Sequence, residues 1–200
     1  MAVEFKRNDY SGHFPEIWRG ECKILPGGFK PAQTIPAGTV LRRGVPIYVD
    51  FDNMTAAICK TAKVLTGGTT TKPRVTKGHY FAVGDTVIKS GDGAKHPTVK
   101  GIDTSNADYD VIEFSEAITG LAADDILVEG TAPDSGNAEA KYTPNMIVGA
   151  ERLFDGKGLP TIDAAYEAVV LIPSLASPML ADWLNGVCLK NNPNIIYIKQ

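Results

Sequence analysis

Side chains able to do chemistry are spread along this chain rather than gathered. The densest group is Asp103-Thr104-Ser105-Asn106-Ala107-Asp108-Tyr109-Asp110, whose oxygens have the chemistry to hold a calcium ion. The central glycine and closing bidentate glutamate of an EF-hand loop are missing from their positions. The group therefore reads as a polar turn whose Asx side chains bond nearby backbone. Two glycine-rich pieces, Thr66-Gly67-Gly68-Thr69 and Ser90-Gly91-Asp92-Gly93-Ala94-Lys95, suggest phosphate cradles at first sight. Neither has P-loop spacing or opens a helix after a strand. Cys22, Cys59 and Cys188 are far apart, as are His13, His79 and His96. A structural zinc site needs four ligands, usually in close pairs, so no metal and no cofactor is expected. The cysteines read as reduced thiols, with Cys59 a small hydrophobe inside Ala56-Ala57-Ile58-Cys59. No Gly-x-Ser-x-Gly occurs. The enzymatic alternative is a small hydrolase that brings Asp85 or Asp103 within about 3 Å of His79 or His96. The expectation is that the chain is not an enzyme and has no catalytic residue.

Composition narrows the partners. The chain has 200 residues, 44% hydrophobic and 22% charged, and carries a net charge of −3. That balance fits one or two globular domains and argues against nucleic acid, which calls for a basic field. No run approaches the ~18 apolar residues of a membrane span, and Met1 to Tyr10 lacks the apolar core of a secretory signal. The expected site of synthesis is a reducing cytoplasm. Arg42-Arg43, Lys72, Arg74 and Lys77 form a modest basic group, read as a solvated face or as a contact for an acidic partner subunit.

The elements that position these residues are mostly strands. Three octets repeat one pattern: Ala37-Gly38-Thr39-Val40-Leu41-Arg42-Arg43-Gly44, Gly84-Asp85-Thr86-Val87-Ile88-Lys89-Ser90-Gly91 and Ala123-Asp124-Asp125-Ile126-Leu127-Val128-Glu129-Gly130. Each is a tight turn, two β-favouring residues, two mostly polar ones and a closing Gly, so Asp124-Asp125 reads as turn material. Residues 34–132 are predicted to form a small β-barrel or sandwich. Pro46 places its strand at a sheet edge or starts it after the proline. Residues 133–200 are predicted to be an α+β part packing on the barrel. There Ser177-Pro178 caps a helix from Met179 to about Lys190, followed by a closing strand over Asn194 to Ile198. Leu180, Trp183, Leu184, Val187 and Cys188 give that helix one apolar face, with Trp183 a core anchor. The fold class is thus mainly β with one C-terminal amphipathic helix. Residues 1–33 are irregular yet rich in large apolar side chains. They read either as a wrap over their own core or as an arm on a neighbouring subunit, with Phe5, Tyr10, Phe14, Trp18 and Phe29 as partner-binding candidates.

Most of the chain resembles proteins of tailed phages and prophages of Bacteroides-type bacteria, labelled head fibre or capsid decoration proteins. The resemblance rests on Ile35 to Gly44, on Lys77-Gly78-His79-Tyr80-Phe81-Ala82-Val83-Gly84-Asp85 and on Leu184 to Ile195. It implies a virion structural protein on the outer capsid surface, attached to the major capsid protein or other virion proteins, often as a homotrimer. It carries no catalytic residue, and the absence of a long fibrous repeat favours a compact module. The alternative outside this class is a carbohydrate- or surface-binding β module using Tyr48, Tyr80 and Tyr109.

Overall fold

The computed structural model describes residues 16–157 and 160–199. The protein is mainly β. In chain order the first strands are β1 (Trp18–Ile24), β2 (Lys30–Pro31), β3 (Val40–Leu41), β4 (Pro46–Asp50) and β5 (Thr55–Ile58). Then come β6 (Thr61–Leu65), β7 (Arg74–Thr76), β8 (Val87–Lys89), β9 (Val99–Asp103), β10 (Tyr109–Phe114) and β11 (Ile126–Glu129). The last are β12 (Met146–Val148), β13 (Arg152–Leu153), β14 (Ala164–Leu171), β15 (Leu184–Asn185), β16 (Cys188–Leu189) and β17 (Asn192–Ile198).

Six of these form a curled, half-barrel sheet in the order β8-β11-β6-β7-β10-β9. Its outer strands are drawn together by a bridge between Thr86 and Thr98. Val87 N–H donates to Pro97 O at 2.9 Å and Val99 N–H to Asp85 O at 2.9 Å beside it. Such curling shields edge strands from pairing with other chains. The concave face buries Ala62, Val64, Val75, Val99, Ile112 and Leu127. Along β10 burial alternates with period two, so Asp110 faces inward with Ile112 and Phe114.

The second sheet runs β15-β16-β17-β14-β12-β4-β5-β2, with β1 also paired to β14. β14 is its spine, antiparallel to β1 and β12 and parallel to β17. β4 is an interior strand between β12 and β5, not an edge. Pro46 is tolerated there as the first residue, where its missing N–H falls at the end of the ladder. The chain crosses between the two sheets at Cys59-Lys60, so β4 and β5 belong with the C-terminal strands. A shared apolar core bridges the sheets: Ile88 and Val128 from one meet Tyr197, Ile195 and Val170 from the other, with Cys59 among them.

The three octets are three copies of one turn, but their structural register differs from their alignment by sequence. Thr39, Asp85 and Asp125 each donate their N–H to the carbonyl three residues back, at 3.2, 3.1 and 3.3 Å. The preceding Gly38, Gly84 and Asp124 have φ of 89°, 93° and 72°. Two residues after each turn comes a fully buried side chain, Leu41, Val87 or Leu127. The second octet is therefore shifted by one residue against the other two.

No α-helix occurs among the described residues, and the predicted helix from Met179 to Lys190 is absent. Ala181–Trp183 make a single 3-10 turn, and β15 and β16 then form a hairpin through Gly186, at φ 63°. β16 continues the sheet by pairing with β17. Cross-strand bonds to the neighbour thus replace the intrahelical ladder, and Val187 stands 56% exposed instead of packing inward. Trp183 is nevertheless a core residue, as expected. The segment 1–33 is not irregular throughout, since Trp18–Ile24 and Lys30–Pro31 are strands.

Candidate functional site

The densest buried charge lies at the crossing between the sheets. Lys60, flanked by Cys59 and Thr61, is forced inward by the short link from β5 to β6. Its Nζ lies 2.7 Å from Asp85 Oδ2 and 3.5 Å from Glu129 Oε2, with 7%, 14% and 3% of the three side chains exposed. Lys141 Nζ donates to Glu129 Oε1 at 2.7 Å. Gln33 completes the group: its Nε2 donates to Glu129 Oε2 (3.1 Å) and to Ile58 O (3.1 Å), while its Oε1 accepts from Ile58 N–H (2.9 Å). Asp85 Oδ2 also accepts from Ala82 N–H at 2.7 Å, which ties the charge to the octet turn. Two lysines balance two carboxylates. Buried charge is stable only when paired and hydrogen-bonded in this way. The hydrogen bond to Glu129 holds the Lys141 ammonium above its usual range. Burial, with Glu129 nearby, pushes the Cys59 thiol well up, away from reactive thiolate.

A second group lies within the curled sheet. Asp110 Oδ1 accepts from Lys77 Nζ at 2.6 Å, and Asp110 Oδ2 lies 3.3 Å from His79 Nε2. The other ring nitrogen, Nδ1, accepts from Phe81 N–H at 3.2 Å. That tautomer puts the proton on Nε2, toward Asp110, and leaves no lone pair free to take a proton from a substrate. Burial, reinforced by the Lys77 charge, lowers the His79 pKa despite the Asp110 carboxylate. His79 Nε2 thus lies beside Asp110 without a hydrogen bond to it, and Asp85 is committed to Lys60. Asp103 accepts from Ser105 N–H at 2.9 Å and His96 Nδ1 sits 3.3 Å from Gly93 O.

The acidic loop behaves as a turn: Asp103 and Asn106 accept from the N–H groups two residues on. Among the described residues no three His, Cys, Asp or Glu side chains are grouped to hold a metal ion. The three cysteines are unpaired. No helix among the described residues is long and apolar enough to cross a membrane.

The aromatic candidates separate. Phe29 is 2% exposed and packs edge-on against Phe51 at 5.8 Å, so it belongs to the core. Trp18 is half-buried on β1 beneath Arg43, whose guanidinium lies 5.5 Å from the ring centroid. Phe5, Tyr10 and Phe14 lie outside the described residues. Of the tyrosines, Tyr80 turns inward and accepts from Arg42 N–H at 3.1 Å, and Tyr109 is covered by Arg74 at 4.5 Å. Tyr48 is 39% exposed and stacks on Tyr142 at 5.9 Å.

Gln33, Glu129 and Lys141 carry no sequence signal of their role, because they meet Lys60 only through the fold. Lys60 does carry one, as the only charge inside the apolar run from Ala56 to Ala62. No family description, curated protein or solved structure matches the chain.

Proposed function

We propose that the protein is a non-enzymatic virion structural module, a capsid decoration or head-fibre protein that binds the outer surface of a phage head as a homotrimer. The observation that carries this reading is how the buried charges are used. Lys60, Asp85, Glu129 and Gln33 all bond one another or the backbone where the two sheets join, fixing a small barrel-like unit against the larger sheet. His79, the best-placed base, has the lone pair of its Nδ1 taken by the Phe81 N–H. This favours a rigid scaffold presenting surfaces over a cleft performing chemistry. The resemblance over Ile35 to Gly44 and Lys77 to Asp85 supports the same class. Those segments supply the first two octet turns and the Asp85 and His79 positions.

Co-sedimentation with assembled, undecorated phage heads tests the attachment. Saturable pelleting with heads is expected, and protein that stays in the supernatant at all head concentrations removes the reading. Tyr48 stacked on Tyr142 favours a second reading, a carbohydrate-binding surface, because an exposed ring backed by a half-buried one suits a sugar face. Glycan binding that is lost in Tyr48→Ala would replace the first reading with this one.

A further inference from the structure

Two surface features at opposite ends of β4 fit one another. At its C-terminal end the β4–β5 hairpin tip holds Phe51 and Met54 in water, 54% and 52% exposed. Met54 has φ 51°, a left-handed conformation that a methionine adopts only when its surroundings impose it. Asp50 fixes the tip: its Oδ1 accepts from Asp52 N–H (3.0 Å) and Asn53 N–H (3.1 Å), and its Oδ2 from Asn53 Nδ2 (2.7 Å). Phe29 braces Phe51 from the core. A strained backbone and a dedicated carboxylate thus hold two apolar side chains outward, flanked by Asp50 and Asp52.

At the other end of β4 lies a recess of about 330 Å³ with Ile17, Val40 and Ala176 as its apolar lining and Arg42 and Arg43 among its walls. Gly44 leads into β4 there, and a Cβ on it would come within 2.8 Å of Ile17 Cγ2, so the wall is tightly set. Among the described residues neither arginine, and neither Asp50 nor Asp52, forms an ion pair, although Glu151 also lines the recess. An acidic apolar knob and a basic apolar socket therefore sit on one molecule.

We propose that the tip of one copy seats in the recess of a second copy, with Phe51 and Met54 against Val40 and Ile17 and Asp52 facing Arg42. Knob and socket lie a strand apart, about 16 Å at ~3.3 Å per residue. The contact is therefore head-to-tail, and a head-to-tail contact closes into a ring or runs on as a filament. It rests on the oligomeric half of the reading above and gives the proposed trimer its contact. Two side chains alone fall short of the roughly 1,000 Å² of a stable interface, so they anchor a larger rim.

Sedimentation equilibrium on the full chain, without phage heads, tests this apart from head binding. Wild type is expected to self-associate, and less so as salt rises. Phe51→Asp loses the knob and Val40→Asp the socket, and each is expected to be a monomer with an unchanged circular dichroism spectrum. Mixed one to one, they retain a single working contact and should form a dimer and nothing larger. Met54→Gly and Arg42→Glu repeat the design at positions where folding is less at risk. A wild type that stays monomeric, a variant of wild-type mass, or a mixture that stays monomeric overturns the proposal.

Discussion

The turns at Ala82–Asp85 and Ala122–Asp125 are the same piece of backbone in two environments. In both, the fourth residue donates its N–H to the first residue's carbonyl and its carboxylate accepts the first residue's N–H, at 2.7 Å for Asp85 and 2.8 Å for Asp125. In both, a lysine pairs with that carboxylate: Lys60 at 2.7 Å with Asp85 and Lys89 at 2.8 Å with Asp125. What differs is water. Lys60 is 7% exposed and shares a second carboxylate, whereas Lys89 and Asp125 are 26% and 22% exposed with no other carboxylate among the described residues within ion-pair distance of Lys89. Local turn chemistry is set by sequence, but the energetic weight of the ion pair is set by what the fold places over it.

The largest expected effect comes from breaking the buried side. Lys60→Met leaves Asp85 and Glu129 facing each other without their shared cation, and should cost about 3–5 kcal/mol of unfolding free energy in urea titration. Adding Asp85→Asn and Glu129→Gln to it should recover most of that loss. A cost below about 1 kcal/mol would mean that the site is effectively solvated and the contrast between the turns is wrong.

The contrast is measured directly by removing each carboxylate. Asp85→Ala strips Lys60 of its nearer partner and should cost about 3 kcal/mol, the upper range for hydrogen bonds to charged groups. Asp125→Ala breaks a partly exposed pair and should cost about 1 kcal/mol or less. Equal losses would show that the shared turn bond, not burial, sets the cost.

The turns themselves were legible in sequence because a turn is local: its left-handed residue, its polar third position and the following β pair lie within a few residues. The one-residue offset of the second octet was not, since Val87 and Ile88 are both apolar and only sheet pairing decides which lies at the buried position of the repeat. The Lys60 group was hidden for the same reason, as Gln33, Asp85, Glu129 and Lys141 come from distant parts of the chain. The C-terminal segment failed differently. Leu180, Trp183, Leu184, Val187 and Cys188 have helical spacing, but Gly186 opens a two-residue hairpin loop with the positive φ such a turn requires, and that outweighs it. β17 stood ready to pair with the extended chain just before it.

His79 provides an intermediate between the two turns, buried like Asp85 but with one cation partly open to solvent. Its lowered pKa means that below about pH 6.5, the ordinary histidine value, the unfolded chain binds a proton that the folded chain resists. Stability is therefore full above that pH and falls as pH drops below it, a fall that Asp110 moderates and the Lys77 charge on the same face deepens. Melting temperature measured from pH 7.5 to 5 should fall for wild type and fall less for His79→Gln. Parallel curves would remove histidine from the acid response.

The smallest effect isolates the backbone from the charges. Gly84 and Asp124 occupy the same left-handed position, but only one of them is glycine. A Cβ at Gly84 would touch nothing within 4 Å, so Gly84→Ala reports backbone strain alone and should cost about 1 kcal/mol. Asp124→Gly relieves that strain. It also removes the Lys63–Asp124 pair, but Asp124 is 81% exposed and the pair contributes little. A gain approaching 1 kcal/mol is therefore expected from Asp124→Gly. If instead it destabilises, the Asp124 carboxylate matters to its turn as much as Asp85 does to the other, and the two sites differ in degree rather than in kind.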